Sequence, residues 1–236
     1  MAAHGSAGHL IWDWNGTLLD DARAVIASTT AAFAEVGITV AVSEESYRSN
    51  FTRPIRLFYE RLAGRPIAAE EWARLDHAFH DRYLLLAEDC RLTAGAIDAL
   101  ELVREQGWTQ SLCSMLPEEH LLPAVAGHGL AGYFLRIDGL RGGERGGTKL
   151  THLIAHRERL GIAPVRTVMI GDTVDDAVAA EGAGLTCVLL DGGGGLHSSE
   201  ALARAGVPVV ATLAEAMGLL LPRAAGAGAP GGGAGL

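Results

Sequence analysis

His9 to Asp21 reads HLIWDWNGTLLDD, and this stretch decides the fold. The run HLIWD (9–13) is apolar and short, ends on an acid, and passes into Asn15-Gly16-Thr17, residues that favour turns. That is the pattern of a buried strand running into a loop at its carboxyl end. Four more runs of the same kind follow: WTQSLCS (108–114), RTVMIG (166–171), LTCVLL (185–190) and VPVVA (207–211). Helical periodicity fills the intervals at 95–106, 117–127, 149–160, 174–183, 198–205 and 212–221. Strands alternating with helices imply an α/β fold, a Rossmann-like parallel sheet with helices on both faces.

The interval 22–90 breaks this rhythm. Stretches such as DDARAVIASTTAAFAEVG and AAEEWARLDHAFHDRYLLLAE carry helical periodicity, and no convincing strand lies between them. The expected organisation is an α/β core from 9–21 and 91–221, with a small all-helical domain inserted at 22–90. Residues 1–8 and 222–236 are small and Gly/Ala-rich, and are expected to be disordered tails.

Composition narrows the partners. The 236-residue chain is 49% hydrophobic, enough to bury a core without staples. Its formal charge of −9 argues against a nucleic-acid backbone or an anionic membrane as main partner. Cys90, Cys113 and Cys187 show neither a disulfide framework nor a zinc spacing, and are expected to be buried reduced thiols. With no secretory leader pattern and no long apolar span, a cytoplasmic location is expected. Of 19 basic residues the single lysine is Lys149, a hint that this position needs a compact ammonium rather than a planar fork.

In open parallel sheets, ligands bind beyond the carboxyl ends of the strands. Asp13, Ser114 and Gly171-Asp172 all fall there, Asp176 follows, and Lys149 starts a helix just ahead of RTVMIG. Clustered carboxylates repel one another unless a cation joins them, and hard oxygen donors favour Mg²⁺. A carboxylate nucleophile beside such an ion, with Lys and Ser for anionic oxygens, suits phosphoryl transfer.

Four motifs in order, DWNGTLLD (13–20), CSM (113–115), GTKL (147–150) and GDTVDD (171–176), resemble the haloacid-dehalogenase-like hydrolases, and phosphoglycolate phosphatase-like members with a helical cap in particular. The resemblance implies that Asp13 is the nucleophile. It implies that Asp13, Asp172, Asp176 and the backbone carbonyl of Asn15 bind Mg²⁺, and that Ser114 binds a phosphoryl oxygen. Lys149 would offset charge on Asp13 and the phosphoryl group, and Gly16 and Thr17 would shape a loop whose amides face the phosphate. Met115 stands where many relatives have Asn. The implied substrate is a small phosphorylated metabolite, enclosed by the cap.

Other polar residues have plainer expectations. Asp20 is read as a helix N-cap, with Asp21 and Asp175 solvated. The stretch DGGGGLHSSE (191–200) reads as a mobile loop, and His197, His77 and His80 as surface residues. Arg53, just before Pro54, either clamps a second anionic group of the substrate or lies on the surface. Phe51, Phe58, Tyr59 and Trp72 are expected to pack the core of the helical insertion.

Asn15 is the departure that matters. In the family a carboxylic acid at this position protonates the leaving oxygen and later activates water; an amide has no proton to transfer. The loss amounts to general acid–base catalysis, typically ~10²–10⁴-fold. Two functions remain open: a specialised Mg²⁺-dependent phosphatase, or a phosphate-ester-binding regulatory protein. A phosphonatase-like reaction is disfavoured, since the helical insertion holds no lysine. Asn15-Gly16 is also a deamidation-prone pair, which would convert the amide to the missing acid.

Overall fold

The computed structural model describes residues 8–141, 148–192 and 195–221. The expected tails therefore lie outside the described residues, except Gly8, whose carbonyl accepts from the Thr109 amide at 3.1 Å. In chain order the elements are β1 (His9–Trp12), β2 (Leu19–Asp20), α1 (Ala22–Glu35), α2 (Glu44–Asn50), α3 (Ile55–Ala63), α4 (Ala69–Ala87), β3 (Arg91–Leu92) and α5 (Ala96–Glu105). There follow β4 (Thr109–Pro117), α6 (Glu118–Gly127), β5 (Ile137–Leu140), α7 (Lys149–Leu160), β6 (Thr167–Gly171) and α8 (Val174–Gly182). The chain closes with β7 (Thr186–Leu190), α9 (Ser199–Ala203), β8 (Val209–Val210) and α10 (Leu213–Leu220).

Six strands form one sheet in the order β5-β4-β1-β6-β7-β8, with every neighbouring pair parallel. The chain fills one side of β1 first and then crosses to the other. The switch point, where such sheets open a ligand crevice, therefore falls beside β1. Side-chain alternation along β1 explains why helices cover both faces. Leu10 and Trp12 join a cluster with Leu100 and Val103 of α5, Leu121 of α6 and Leu213 of α10. Ile11, between them, points the other way, into a cluster with Leu153 of α7, Ala180 of α8 and Leu202 of α9.

One strand of this sheet was not expected. Ile137–Leu140 (IDGL) forms the edge strand β5 beside β4, although its sequence is short and carries both Asp and Gly. What makes it a strand is its neighbour, together with hydrogen bonds that bury Asp138 completely.

The helices α1–α4 occupy the interval expected for the insertion and have a core of their own. Phe33, Tyr47, Phe58, Tyr59 and Leu75 are buried there, and Phe51 and Trp72 pack against them. The two connections to this unit are joined as a short antiparallel pair, Leu19 opposite Leu92 and Asp20 opposite Arg91. Asp20 thus lies exposed in β2 and is not a helix cap. Asp21 holds the N-cap position of α1, yet its side chain makes no capping bond.

Candidate active site

Register places the site residues. Trp12 pairs with Leu112 on one side and Ile170 on the other, so Asp13 lies level with Cys113 and Gly171. Its amide donates to the Ile170 carbonyl at 2.9 Å, which carries the sheet one residue further. Ser114 and Asp172 each stand one position beyond that level. All three side chains are buried, at 6% exposure for Asp13, 1% for Ser114 and 4% for Asp172. β4 itself runs on to Pro117, with an irregularity in its pairing between Cys113 and Pro117, so Ser114 marks a break in the strand rather than its end. The Ser114 hydroxyl accepts from the Leu116 amide at 3.1 Å, and Met115 beside it is half-buried.

Helix starts fix the other two charged groups. Thr173 caps α8 and Asp176 closes a capping box, its Oδ2 accepting from the Thr173 amide at 3.0 Å and hydroxyl at 2.6 Å. That leaves Oδ1 of Asp176 to pair with Lys149 Nζ. Lys149 is the first residue of α7, behind the Thr148 cap, and its Nζ also reaches Asp13 Oδ1 at 2.5 Å. One ammonium thus bridges two carboxylates as a compact point charge. Gly147 of the third motif lies outside the described residues.

Two glycines keep the cluster tight. Gly16 has φ +71°, and a Cβ there would stand 2.3 Å from Asp172 Oδ2; at Gly171 a Cβ would stand 2.3 Å from Asp176 Cγ. Thr17 completes the inner wall, its hydroxyl donating to Asp172 Oδ1 at 3.3 Å.

Asp13, Asp172 and Asp176 each offer a carboxylate oxygen, and these atoms all lie within 4.8 Å of one another. At that separation each like-charged pair costs about 3 kcal/mol at an effective dielectric constant of 20, and Lys149 offsets only part of it. Burial, opposed by Lys149, pushes Asp13 up to about 7. Burial and the charges of Asp13 and Asp176 push Asp172 well above the carboxylate range. Asp176 goes the other way: despite burial, Lys149 and Thr173 hold it low. Burial by itself would lower Lys149, but the two carboxylates keep it firmly protonated. Three oxygen donors with excess negative charge fit a hard divalent cation.

The loop between β1 and β2 holds part of its own backbone by internal bonds. The Gly16 amide donates to the Leu19 carbonyl at 2.9 Å and to Asp21 Oδ1 at 3.0 Å, and the Thr17 amide to the Trp14 carbonyl at 3.3 Å. Both of these amides are therefore engaged inside the loop. The Asn15 side chain donates through Nδ2 to Asp21 Oδ2 at 2.9 Å and to the Tyr83 hydroxyl at 2.5 Å. Tyr83, from α4, in turn donates to Asp21 Oδ2 at 2.7 Å. Asp21 is 2% exposed, not solvated; burial raises its pKa against the hydrogen bonds of Tyr83, Asn15 and Gly16. Deamidation would require the Gly16 nitrogen to attack the Asn15 side chain, and the bonds holding both groups oppose it.

The helical insertion meets the core at further points. Arg53 Nε pairs with Asp175 Oδ2 at 2.6 Å, which sets Arg53 one residue from Asp176 and means that Asp175 does not simply face solvent. Arg48 of α2 donates to the carbonyls of Gly195 at 2.7 Å and His197 at 3.2 Å. His197 is 7% exposed, with its ring 4.4 Å from that of Phe51, so it is an interior residue and not a surface one. Gly195 abuts Asp172, so the end of the 191–200 stretch borders the site; Gly193 and Gly194 lie outside the described residues. His77 is exposed and His80 partly so, as expected.

Comparison with known proteins agrees with this geometry. The family model described as haloacid dehalogenase-like hydrolase matches residues 8–184. The chain belongs to that family. A phosphoglycolate phosphatase from Mesorhizobium japonicum is 28% identical over 193 residues, covering 78% of this chain and 82% of the relative. The phosphoglycolate phosphatase of Escherichia coli is 27% identical over 200 residues, covering 75% and 78%. Among solved structures, a predicted phosphatase from Clostridium acetobutylicum superposes with a TM-score of 0.78 at 20% identity, over 91% of this chain and 98% of that one. A predicted phosphoglycolate phosphatase from Haemophilus somnus gives 0.71 at 17% identity, over 92% and 99%. At such identities the structures speak for the fold.

Proposed function

We propose that this protein is a Mg²⁺-dependent phosphatase that hydrolyses a small phosphorylated metabolite through a phosphorylated Asp13. The observation that carries the reading is the cluster of Asp13, Asp172 and Asp176, which shares one ammonium and retains excess negative charge. Mg²⁺ would be held by these three carboxylates and the Asn15 backbone carbonyl, and when bound it would supply charge neutralisation at the phosphoryl oxygens.

The chain's own residues divide the remaining work. A carboxylate oxygen of Asp13 attacks phosphorus as the bond to the leaving oxygen breaks, giving an acyl phosphate on Asp13. Lys149 binds Asp13 and opposes the burial that would protonate the nucleophile. Ser114 and Lys149 donate to the phosphoryl oxygens. Residues 22–90 act as a cap over this end of the sheet, with Arg53 moving from Asp175 to a second anionic group on the substrate. The phosphatase names of the relatives support this class of reaction.

The test is a phosphate-release panel with Mg²⁺ on wild type and Asp13→Ala. Release is expected from wild type and should fall at least ~10³-fold in the variant, following the loss of a nucleophile. Binding of phosphorylated metabolites with no release from any ester would establish a regulatory protein instead.

A further inference from the structure

Resting on the phosphatase reading, we propose that Asp21 and Tyr83 turn Asn15 into a hydrogen-bond acceptor only, which restricts the enzyme to phosphoryl donors whose leaving group departs as a stable anion. Acyl phosphates are the best example, followed by aryl phosphates.

The case rests on an account of every hydrogen in the cluster. The primary amide of Asn15 has two N–H hydrogens, and they go to Asp21 Oδ2 and to the Tyr83 hydroxyl oxygen. Tyr83 has one hydrogen, and it goes to Asp21 Oδ2. The Gly16 amide points its hydrogen at Asp21 Oδ1. Which end of the Asn15 amide is nitrogen follows from chemistry, because its oxygen would repel the Asp21 carboxylate. Three of these four hydrogens go to the buried Asp21 and the fourth to the Tyr83 oxygen, so none is left to protonate or hydrogen-bond a departing oxygen. The remaining atom, Oδ1, has no partner among the described residues and is not among the buried unpaired atoms. It is an accessible acceptor in the loop that follows the nucleophile.

An acceptor in that place serves one half of the reaction. In the first step the leaving oxygen must depart without help, which an acetate or a phenolate can do and a sugar alkoxide cannot. In the second step Oδ1 accepts a hydrogen from the attacking water and holds its oxygen towards phosphorus, as water-orienting amides do in other phosphoryl transfers. The water oxygen bonds to phosphorus and the bond from phosphorus to Asp13 breaks. One water hydrogen stays on the attacking oxygen and the other passes to a phosphoryl oxygen. Asp13 returns as carboxylate and dihydrogen phosphate leaves. Asn15 touches the attacking water, while Asp21 and Tyr83 are positioning residues. Tyr83 belongs to α4, so the helical insertion must be seated for Asn15 to be set.

The experiment compares acetyl phosphate, phenyl phosphate and an alkyl phosphate with Mg²⁺. Wild type is expected to show a kcat/KM at least ~10²-fold higher for acetyl than for alkyl phosphate, the size of an absent general acid. The exchange Asn15→Asp with Asp21→Asn keeps one acid and one amide in contact but moves the acid to the site. It should raise alkyl turnover ~10²-fold. Tyr83→Phe frees one Asn15 hydrogen and unfixes Oδ1, so acid-quenched phosphoenzyme from acetyl phosphate should accumulate, which a purely structural role would not cause. Equal wild-type rates on acetyl and alkyl phosphate overturn the inference and leave the phosphatase intact. No release from any of the three overturns the phosphatase reading itself. Should the exchanged protein fail to fold by circular dichroism, the wild-type ratio and the Tyr83→Phe phosphoenzyme level decide.

Discussion

Two buried groups of ionisable side chains share strands β1 and β4. Beyond the carboxyl ends stand Asp13, Asp172, Asp176 and Lys149. Lower in the sheet, Asp138, His156, Ser111 and His9 form a chain: His156 Nδ1 donates to Asp138 Oδ2 at 2.7 Å, and His156 Nε2 lies 2.8 Å from Ser111 Oγ. His9 Nε2 lies 2.8 Å from the same hydroxyl, and its Nδ1 lies 2.8 Å from Thr109 Oγ1. Arg136 adds a bond to Asp138 at 2.6 Å. The order Asp138–His156–Ser111 imitates a nucleophilic triad, yet all three side chains are fully buried and no substrate could reach them.

The lesson lies in the balance of charge. Around Asp138 the positive groups and donors satisfy the acid, and despite burial the bonds from His156 and Arg136 hold it below the usual range. Around Asp13 and Asp172 they do not, and both acids are pushed up. Burial with charge offset by neighbouring cations marks a structural network; burial with surplus charge marks a place where something else binds.

Substitutions of one acid in each group should separate them most widely. Asp138→Asn leaves His156 and Arg136 without their charged partner, and an expected 3–5 kcal/mol is lost from urea unfolding. Asp172→Asn relieves repulsion, so the metal-free protein should keep its stability or gain about 1 kcal/mol, while phosphate release disappears. A comparable loss of stability in both variants would dissolve the distinction.

A smaller effect comes from pH. Burial, then the nearby His156, pushes His9 down to about 4. Its folded pKa lies below the ordinary 6.5, so between pH 6.5 and 4 the unfolded chain binds a proton that the folded one does not. Stability is therefore complete above pH 6.5 and declines as pH falls towards 4, by up to about 3 kcal/mol. Unfolding curves of wild type and His9→Gln should converge over that window; parallel curves would show that His9 titrates freely. The smallest expected effect is on the opposite group. Mg²⁺ at ten times its dissociation constant should stabilise wild type by about 1.4 kcal/mol at pH 7.5 and Asp172→Asn hardly at all, read by thermal melting.

Much of this was legible in the chain. Five strands and the meeting of Asp13, Lys149, Asp172 and Asp176 follow from the apolar runs and the polar residues placed at their ends and at the helix starts. What escaped depends on distant contacts. Asp20 and Asp21 look alike in the sequence, but β2 turns the first outward, and Tyr83, 62 positions on, closes over the second. His197 reads as polar loop until Phe51 and Arg48 of the insertion cover it. The edge strand IDGL has weak propensity and forms because β4 offers it a ladder. His9 gave the one local clue to the lower network, a polar residue at the start of an otherwise apolar strand.

The β2–β3 pair has a consequence for how such a molecule is assembled and altered. Asp20 faces Arg91 across a hydrogen-bonded ladder, so the long excursion between them leaves and re-enters the core at adjacent points. A tight two-residue hairpin could rejoin the strands, and in topology the excursion is a removable module, open to replacement by another of different size. In chemistry it is not removable, because Tyr83 reaches back to Asn15 and Arg48 to the rim of the pocket. A graft on this scaffold would have to supply a hydroxyl at the same place, or the core beneath would lose its alignment.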